Sequence, residues 1–146
     1  MSPSDPSLFG GIANALGAGL PHLLLQFGVA IALLVAGVAI YTFATPFRER
    51  ELIDEGNTAA GVIMSGAILA MAIPIAAILA TSALVLDVIV WGSVAVLLQL
   101  LTVAGVSLVF RHLRAMIQHG NVAAALTLAA TQLAVALLNA AVMVPN

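Results

Sequence analysis

Most residues whose side chains could bind a ligand or react lie in two polar stretches, 48–60 and 111–124. The first stretch contains two of the four arginines and four of the six acidic residues. Clustered carboxylates can bind divalent cations, but these are irregularly spaced and alternate with arginines. We therefore interpret this stretch as a solvated connection, in which a short interfacial helix would bury Phe47, Leu52 and Ile53.

Each polar stretch contains a Gly-Asn pair directly before a long apolar run. Glycine permits a sharp turn, and an asparagine oxygen can accept an unpaired N–H from the first turn of a helix. Gly56–Asn57 and Gly120–Asn121 are therefore predicted to be paired hinges with helix caps. The alternative is that two helix N-termini converge there to bind an anion.

Residues suited to metal binding or catalysis do not form a recognised pattern. His22, His112 and His119 lack the spacing of known metal ligands, and the absence of cysteine excludes disulfides and thiolate chemistry. No nucleophile–base set or cofactor motif is present, so we expect no enzymatic activity, no metal and no cofactor. No basic cluster exceeds two arginines, so a nucleic-acid partner is not expected.

The composition requires these groups to be positioned by a membrane domain. The chain is 63% hydrophobic and 7% charged, with a mean hydropathy of +1.21, whereas about a quarter of the residues in soluble domains are charged. A lipid bilayer is therefore the expected environment, crossed by helices of about 20 residues. The four predicted spans are 21–43, 57–80, 88–110 and 121–143.

Prolines help to set the limits of these spans. Residues 1–20 form a predicted outer segment, where apolar residues at every fourth position favour a short interfacial helix. Continuation of this segment into the first span is the alternative. Pro21 suits the first turn of the span and Pro46 its end, while Pro74 predicts a kink near Ala70.

Polar residues within the predicted spans are all uncharged, which argues against proton relays and charged-substrate sites. We expect these side chains to join helices by hydrogen bonds, with Gln99 and Gln132 facing protein rather than lipid. The alternative is a polar path lined by Gln99, Gln132 and Asn139. The polar residues are Ser65, Gln99, Thr102, Ser107, Thr127, Thr131, Gln132 and Asn139.

Small residues recur at spacings of four in spans two and four, as in Gly66/Ala70 and Ala125/Ala129. Such spacing allows two helices to approach closely. These two spans are therefore predicted to form the tightest pair, whereas spans one and three face lipid or a partner.

The arginines predict the orientation of the chain. They lie only in the connections after spans one and three, and short loops rich in arginine remain in the cytoplasm. Both hinges are therefore expected to be cytoplasmic and both termini outside. The four residues are Arg48, Arg50, Arg111 and Arg114.

The two halves of the chain match at a shift of 64 residues, which places Asn57 on Asn121 and Arg50 on Arg114. The predicted fold is an all-α bundle over 21–146, built as two tandem helical hairpins. The repeats, about 21–80 and 88–143, are parallel because each begins on the same side of the membrane.

Several segments together carry a family resemblance: ELIDEGNTAA, SGAILAMAIPIA, the WG pair, LLQLLTVAGV, IQHGNVAA and LLNAAVM. In this order they resemble the YjfL-like bacterial inner-membrane family named domain of unknown function 350. The resemblance covers about 25–143 and implies a four-helix protein of the bacterial inner membrane, without an assigned activity.

These observations favour a non-enzymatic membrane protein that self-associates or joins a larger complex and presents its hinges to a partner. The alternative is a small channel or transporter whose oligomer surrounds a polar path.

Overall fold

The computed structural model describes residues 6–45 and 48–144, whose regular secondary structure is entirely helical. The helices are α1 Pro6–Ala44, α2 Glu49–Asp54, α3 Thr58–Thr81, α4 Val85–Val109, α5 Leu113–Gln118 and α6 Val122–Met143. Helices α1, α3, α4 and α6 are long and apolar enough to cross a bilayer, as the sequence predicts. Residues 1–5 of the predicted outer segment, 145–146 of the membrane domain, Pro46 and Phe47 lie outside the described residues.

The most extensive contact between helices joins α3 and α6, the pair predicted from the small residues. Gly66 and Ala129 meet at its centre: a Cβ atom added to Gly66 would lie 2.6 Å from Ala129 Cβ. Real Cβ atoms essentially never approach so closely. The separation of the two helices at this level therefore requires a residue without a side chain.

Helices α1 and α4 pack together and also contact α3. A Cβ atom at Gly37 of α1 would lie 2.9 Å from Val96 Cγ2 of α4. Conversely, a Cβ atom at Gly92 of α4 would lie 2.9 Å from Leu33 Cδ1 of α1. Each helix thus receives an apolar side chain from the other against a glycine.

The buried core divides between the two ends of the bundle. At the end that carries α2 and α5, called the hinge end, Tyr41 and Ile63 pack with Leu113 and Ile117 of α5. At the opposite end, called the turn end because α3 and α4 connect there, the core contains Ala30, Ile75, Ile78 and Val88. The short helix α5 therefore closes the hinge end of the core.

Pro21 lies inside α1 rather than in the first turn of a separate span. The prediction of an interfacial helix that ends before Pro21 is thus wrong, and the alternative of a continuous helix applies. A helical proline cannot donate to the carbonyl of the residue four positions earlier, but the chain around it is apolar and has no polar run that would stabilise a break. Pro74 lies inside α3 and is buried.

The first half of α1 extends past the turn end. His22 Nε2 lies 3.0 Å from Ala83 O, and Gln26 Nε2 donates to Ser82 O at 3.2 Å. These contacts hold α1 level with the α3–α4 turn. The sixteen residues 6–21, called the overhang, precede them and correspond to about 24 Å of helix at 1.5 Å per residue.

Candidate functional site

The first hinge joins α2 to α3 through a tight helix ending. Gly56 has a φ of +81°, in the left-handed region that glycine adopts without steric cost. Its N–H donates to Ile53 O at 2.9 Å, and the Asn57 N–H donates to Leu52 O at 2.8 Å. These two bonds form a Schellman motif, which satisfies the last carbonyls of α2.

The second hinge joins α5 to α6 with the same local geometry. Gly120 has a φ of +74°, and its N–H donates to Ile117 O at 2.9 Å. The Asn121 N–H donates to Met116 O, also at 2.9 Å. Each of these residues lies 64 positions after its counterpart in the first hinge.

Both hinge asparagines also cap the helix that follows. Asn57 Oδ1 accepts a hydrogen bond from the Ala60 N–H at 3.0 Å, and Asn121 Oδ1 accepts one from the Ala124 N–H at 3.1 Å. These side chains thus occupy N–H groups that a bound anion would otherwise use. The geometry is that of the predicted caps.

Asn57 additionally connects the two hinges. Its Nδ2 donates to Ile117 O at 3.0 Å and lies 3.3 Å from Gln118 O. Both carbonyls belong to the last turn of α5, where backbone acceptors need partners from outside the helix. One asparagine side chain therefore caps α3 and fixes the position of α5.

The charged surface of the hinge end is exposed. Arg48 Nη1 lies 3.1 Å from Glu51 Oε2, with both side chains more than half exposed, so the pair contributes at most about 1 kcal/mol. Arg50, Arg111 and Arg114 are also exposed. All four arginines therefore lie at the end of the bundle that carries α2 and α5.

Glu49 departs from the predicted solvated connection, because it is only 1% exposed. Its Oε1 lies 2.9 Å from Thr45 Oγ1, whereas Oε2 has no hydrogen-bond partner among the described residues. Burial raises the pKa of Glu49, and the hydrogen bonds of its carboxylate oppose this effect only in part. The short helix at this position was predicted, but it buries Glu49 and half-buries Leu52 while Ile53 is exposed.

A buried polar cluster lies next to Glu49 and consists of Tyr41, Gln99 and Gln132, all with no exposed surface. Tyr41 O accepts a hydrogen bond from Thr45 Oγ1, which also contacts Glu49, and Gln99 Nε2 donates to Gln132 O at 3.4 Å. Within the described chain, several polar atoms of this cluster have no partner of good geometry. They are Tyr41 OH, Gln99 Oε1 and both amide atoms of Gln132.

Both glutamines face protein, as expected. The alternative of an oligomeric polar path would require them to line a surface between copies. They are instead enclosed within one chain.

The other intramembrane polar residues bond differently from the prediction. Thr102, Thr127 and Thr131 each donate to the carbonyl four residues earlier in their own helix, and Ser65 is exposed. The prediction of hydrogen bonds between helices is therefore wrong for these threonines. A hydroxyl beside its own helix backbone finds an acceptor without needing a neighbouring helix.

A groove of about 530 Å³ opens at the turn end between α4 and α6. Its wall includes Asp87 and Trp91 of α4 and Asn139 of α6. Asn139 is half-buried there, and its Nδ2 has no partner among the described atoms. The groove is mainly apolar and lies apart from the buried polar cluster.

The three histidines do not form a cluster. His22 lies at the turn end, whereas His112 and His119 flank α5 at the hinge end. Across residues 6–45 and 48–144, no group of three or more potential metal-binding side chains is present.

Comparison with known proteins places this fold in a family. Residues 15–143 match the family described as Domain of Unknown Function (DUF350). The chain belongs to this family. Relatives of this DUF350 protein include the UPF0719 inner membrane protein YjfL from Escherichia coli strain K12 and from Escherichia coli O157:H7. Each is 34% identical over 117 residues, which cover 80% of this chain and 89% of the relative. No solved structure matches significantly.

The family and the four apolar helices together identify a multi-pass protein of the inner membrane. The DUF350 match includes both hinges and the buried polar cluster, and it begins within the overhang. The relatives' names state a membrane location and no activity.

Sequence reasoning missed Glu49, Tyr41 and Thr45 as members of one buried group. Their spacing of four does not place them on one helix face, because α1 ends at Ala44 and α2 begins at Glu49.

Proposed function

We propose that this protein is a non-enzymatic subunit of an inner-membrane assembly, which associates through α1 and presents its two hinges to a cytoplasmic partner. The assembly is a homo-oligomer or a larger complex in which the chain is an accessory subunit. The observation that carries this proposal is the overhang. It extends past the turn end, so the other helices of the same chain do not cover its apolar residues.

Apolar side chains on the overhang are largely exposed: Phe9 at 65%, Ile12 at 55% and Leu16 at 56%. A Cβ atom added to Gly10 or Gly17 would meet nothing within 4 Å. Apolar side chains in a bilayer are covered either by lipid or by another helix, and small residues such as Gly10 and Gly17 let a second helix approach closely. A neighbouring subunit along α1 would bury this surface.

The absence of cysteine from the chain permits a direct test by single-cysteine cross-linking in native membranes. Leu16→Cys should form cross-linked species, because the proposal places Leu16 at the subunit contact. Leu101→Cys on α4 is a matched control, since Leu101 is 58% exposed against 56% for Leu16. Equal cross-linking of both variants would contradict a specific contact through α1.

The native mass of the gently extracted complex distinguishes the two kinds of assembly. A whole multiple of the 14.8 kDa chain indicates a homo-oligomer. Additional mass from another polypeptide indicates an accessory subunit. A complex containing a single chain would refute both forms of the proposal.

The hinge surface is the proposed contact for a cytoplasmic partner. Exposed Arg50 and Arg114 lie at the same end of the bundle as exposed Asp54 and Glu55, so a partner would meet charges of both signs. Reversal of Arg50 and Arg114 to glutamate should release a partner that co-purifies with the wild-type protein. Retention of every co-purifying protein would count against this contact.

The cytoplasmic location of the hinges is itself part of the proposal. It is supported by the location of all four arginines at one end of the bundle, because arginine-rich short loops are retained inside. A reporter fused to the C-terminus should then be active outside the cytoplasm. Activity of this reporter only in the cytoplasm would reverse the assignment. The same reporter fused to the charge-reversed variant shows whether that variant keeps the wild-type orientation.

We also propose that the two hairpins descend from one duplicated unit. The support is the equal shift of 64 residues between α2 and α5, between the starts of α3 and α6, and between the hydrogen bonds of the two hinges. Replacing residues 113–124 by the sequence of residues 49–60 should therefore preserve the helix content of the protein. Loss of helix would argue against interchangeable hinges.

A further inference from the structure

The hydroxyl of Thr45 lies between two oxygen acceptors. Thr45 Oγ1 is 2.9 Å from Tyr41 O and 2.9 Å from Glu49 Oε1. A hydroxyl has one hydrogen to donate, so it cannot serve a backbone carbonyl and an ionised carboxylate at once. Both contacts become hydrogen bonds when Glu49 is a carboxylic acid, whose O–H donates to Thr45 while Thr45 donates to Tyr41 O.

The surroundings of Glu49 provide hydrogen-bonding groups without a buried counter-charge. The buried side chains nearby include Tyr41 of α1 and Gln132 of α6. Neutral phenol and amide groups can bond to a carboxylic acid, but they do not cancel the charge of a buried carboxylate. A proton cancels that charge and requires almost no additional volume.

The charged side chains beside Glu49 are exposed, although Arg48, Arg50 and Glu51 line the same shallow pocket as Glu49. Arg48 pairs with Glu51, and Arg50 is exposed. The sequences of α3 and α6 contain no titratable residue, and the only one in α4, Asp87, lies in its first turn at the turn end. From α5, Arg114 is exposed. Among the described residues, Tyr41 is thus the other buried titratable side chain.

Glu49 nevertheless lies beside a route to water. A shallow pocket of about 180 Å³ at the hinge end is lined by Thr42, Glu49 and Arg50, among others. A proton can therefore exchange with the aqueous phase through this pocket.

We propose that Glu49 is a proton-binding site at the hinge end of the bundle, formed with Thr45 and Tyr41. Proton binding makes one O–H bond on the carboxylate and removes one negative charge, and release returns the proton to water at the same end. The raised pKa that burial gives to Glu49 is consistent with this assignment. This site is independent of the proposed subunit contact through α1.

Carboxyl NMR on the protein labelled with ¹³Cδ-glutamate in lipid nanodiscs tests the proposal directly. The chain has three glutamates, Glu49, Glu51 and Glu55, so three titration curves are expected. One of the three curves should be displaced to higher pH, because burial disfavours the charged form of Glu49. Glu49→Gln should remove the displaced curve, whereas the matched change Glu51→Gln on the same helix should leave it in place.

Each other result overturns the proposal. The absence of a displaced curve, or a displaced curve that survives Glu49→Gln, would exclude Glu49 as the proton site. A response of the displaced resonance to added sodium at constant pH would identify a metal-cation site instead. If Glu49→Gln does not fold, Glu51→Gln and Glu55→Gln still show whether the displaced curve belongs to Glu49, because that curve must then persist in both variants.

Discussion

The close approach of α3 and α6 at Gly66 makes a sharp prediction for Gly66→Ala. The new Cβ would lie 2.6 Å from Ala129 Cβ and 3.0 Å from Ala129 Cα, whereas carbon atoms in contact prefer about 3.5 to 4.0 Å. Since one neighbour is backbone, the helices must separate by about 1 Å at this level. Overpacking of this kind costs about 1–3 kcal/mol.

The matched control is Gly61→Ala, five residues earlier in the same helix. A Cβ atom there would meet nothing within 4 Å. Both substitutions gain the same helix propensity, about 1 kcal/mol, so this contribution cancels when the two variants are compared. Gly66→Ala should therefore be less stable than Gly61→Ala by about 1–3 kcal/mol.

Reversible unfolding by sodium dodecyl sulfate in mixed micelles, followed by far-UV circular dichroism, measures this difference. The effect of Gly66→Ala should shrink in an Ala129→Gly background, because the opposing methyl group is then absent. Stabilities of the Gly66 and Gly61 variants that agree within about 0.5 kcal/mol would refute the close approach. An undiminished effect in the Ala129→Gly background would show that the strain arises elsewhere.

The same unfolding assay checks three further predictions. Because burial raises the pKa of Glu49 above its ordinary value of 4.5, the folded state retains a proton that the unfolded state releases. Stability should thus fall as pH rises from about 4.5 through the raised pKa, by at most about 1.4 kcal/mol per pH unit. Glu49→Gln should flatten this part of the profile, and an unchanged profile would contradict the assignment. Asn121→Ala should cost about 1 kcal/mol through loss of a cap. Asn57→Ala should cost about 1 kcal/mol more, since its amide also bonds to α5; equal losses would mean that this bond contributes nothing. Gln132→Leu should be neutral or stabilising, because leucine has a similar volume and the change removes two buried polar atoms without partners. A loss of stability above about 2 kcal/mol would show that Gln132 has a strong hydrogen-bond partner.

The membrane helices and their caps could be predicted because their signals are local. Long apolar runs can satisfy their backbone groups in lipid only as helices, and Gly-Asn before such a run matches the requirements of a turn followed by a cap. The α3–α6 contact was also predictable, since small residues at spacings of four, which include Gly66 and Ala129, determine how closely two helices can pack. These features depend on residue type and spacing alone.

The buried environment of Glu49 could not be predicted in the same way. A charged residue in a polar stretch is ordinarily solvated, and only the packing of α2 against the bundle encloses this one. The partners of the intramembrane threonines were missed for a different reason. A hydroxyl can choose between its own backbone and a neighbouring helix, and the sequence does not specify which acceptor is nearer.

The location of Pro21 has a mechanical consequence for α1. It directly precedes His22, whose Nε2 lies 3.0 Å from Ala83 O in the α3–α4 turn, and its ring removes one backbone hydrogen bond from the helix. The helix is therefore weakest in bending where its support by the bundle begins. A rotation of about 10° at this pivot would move the tip of a 24 Å overhang by about 4 Å. In the proposed assembly, the overhang can thus adjust to a neighbouring subunit while α3, α4 and α6 keep their packing.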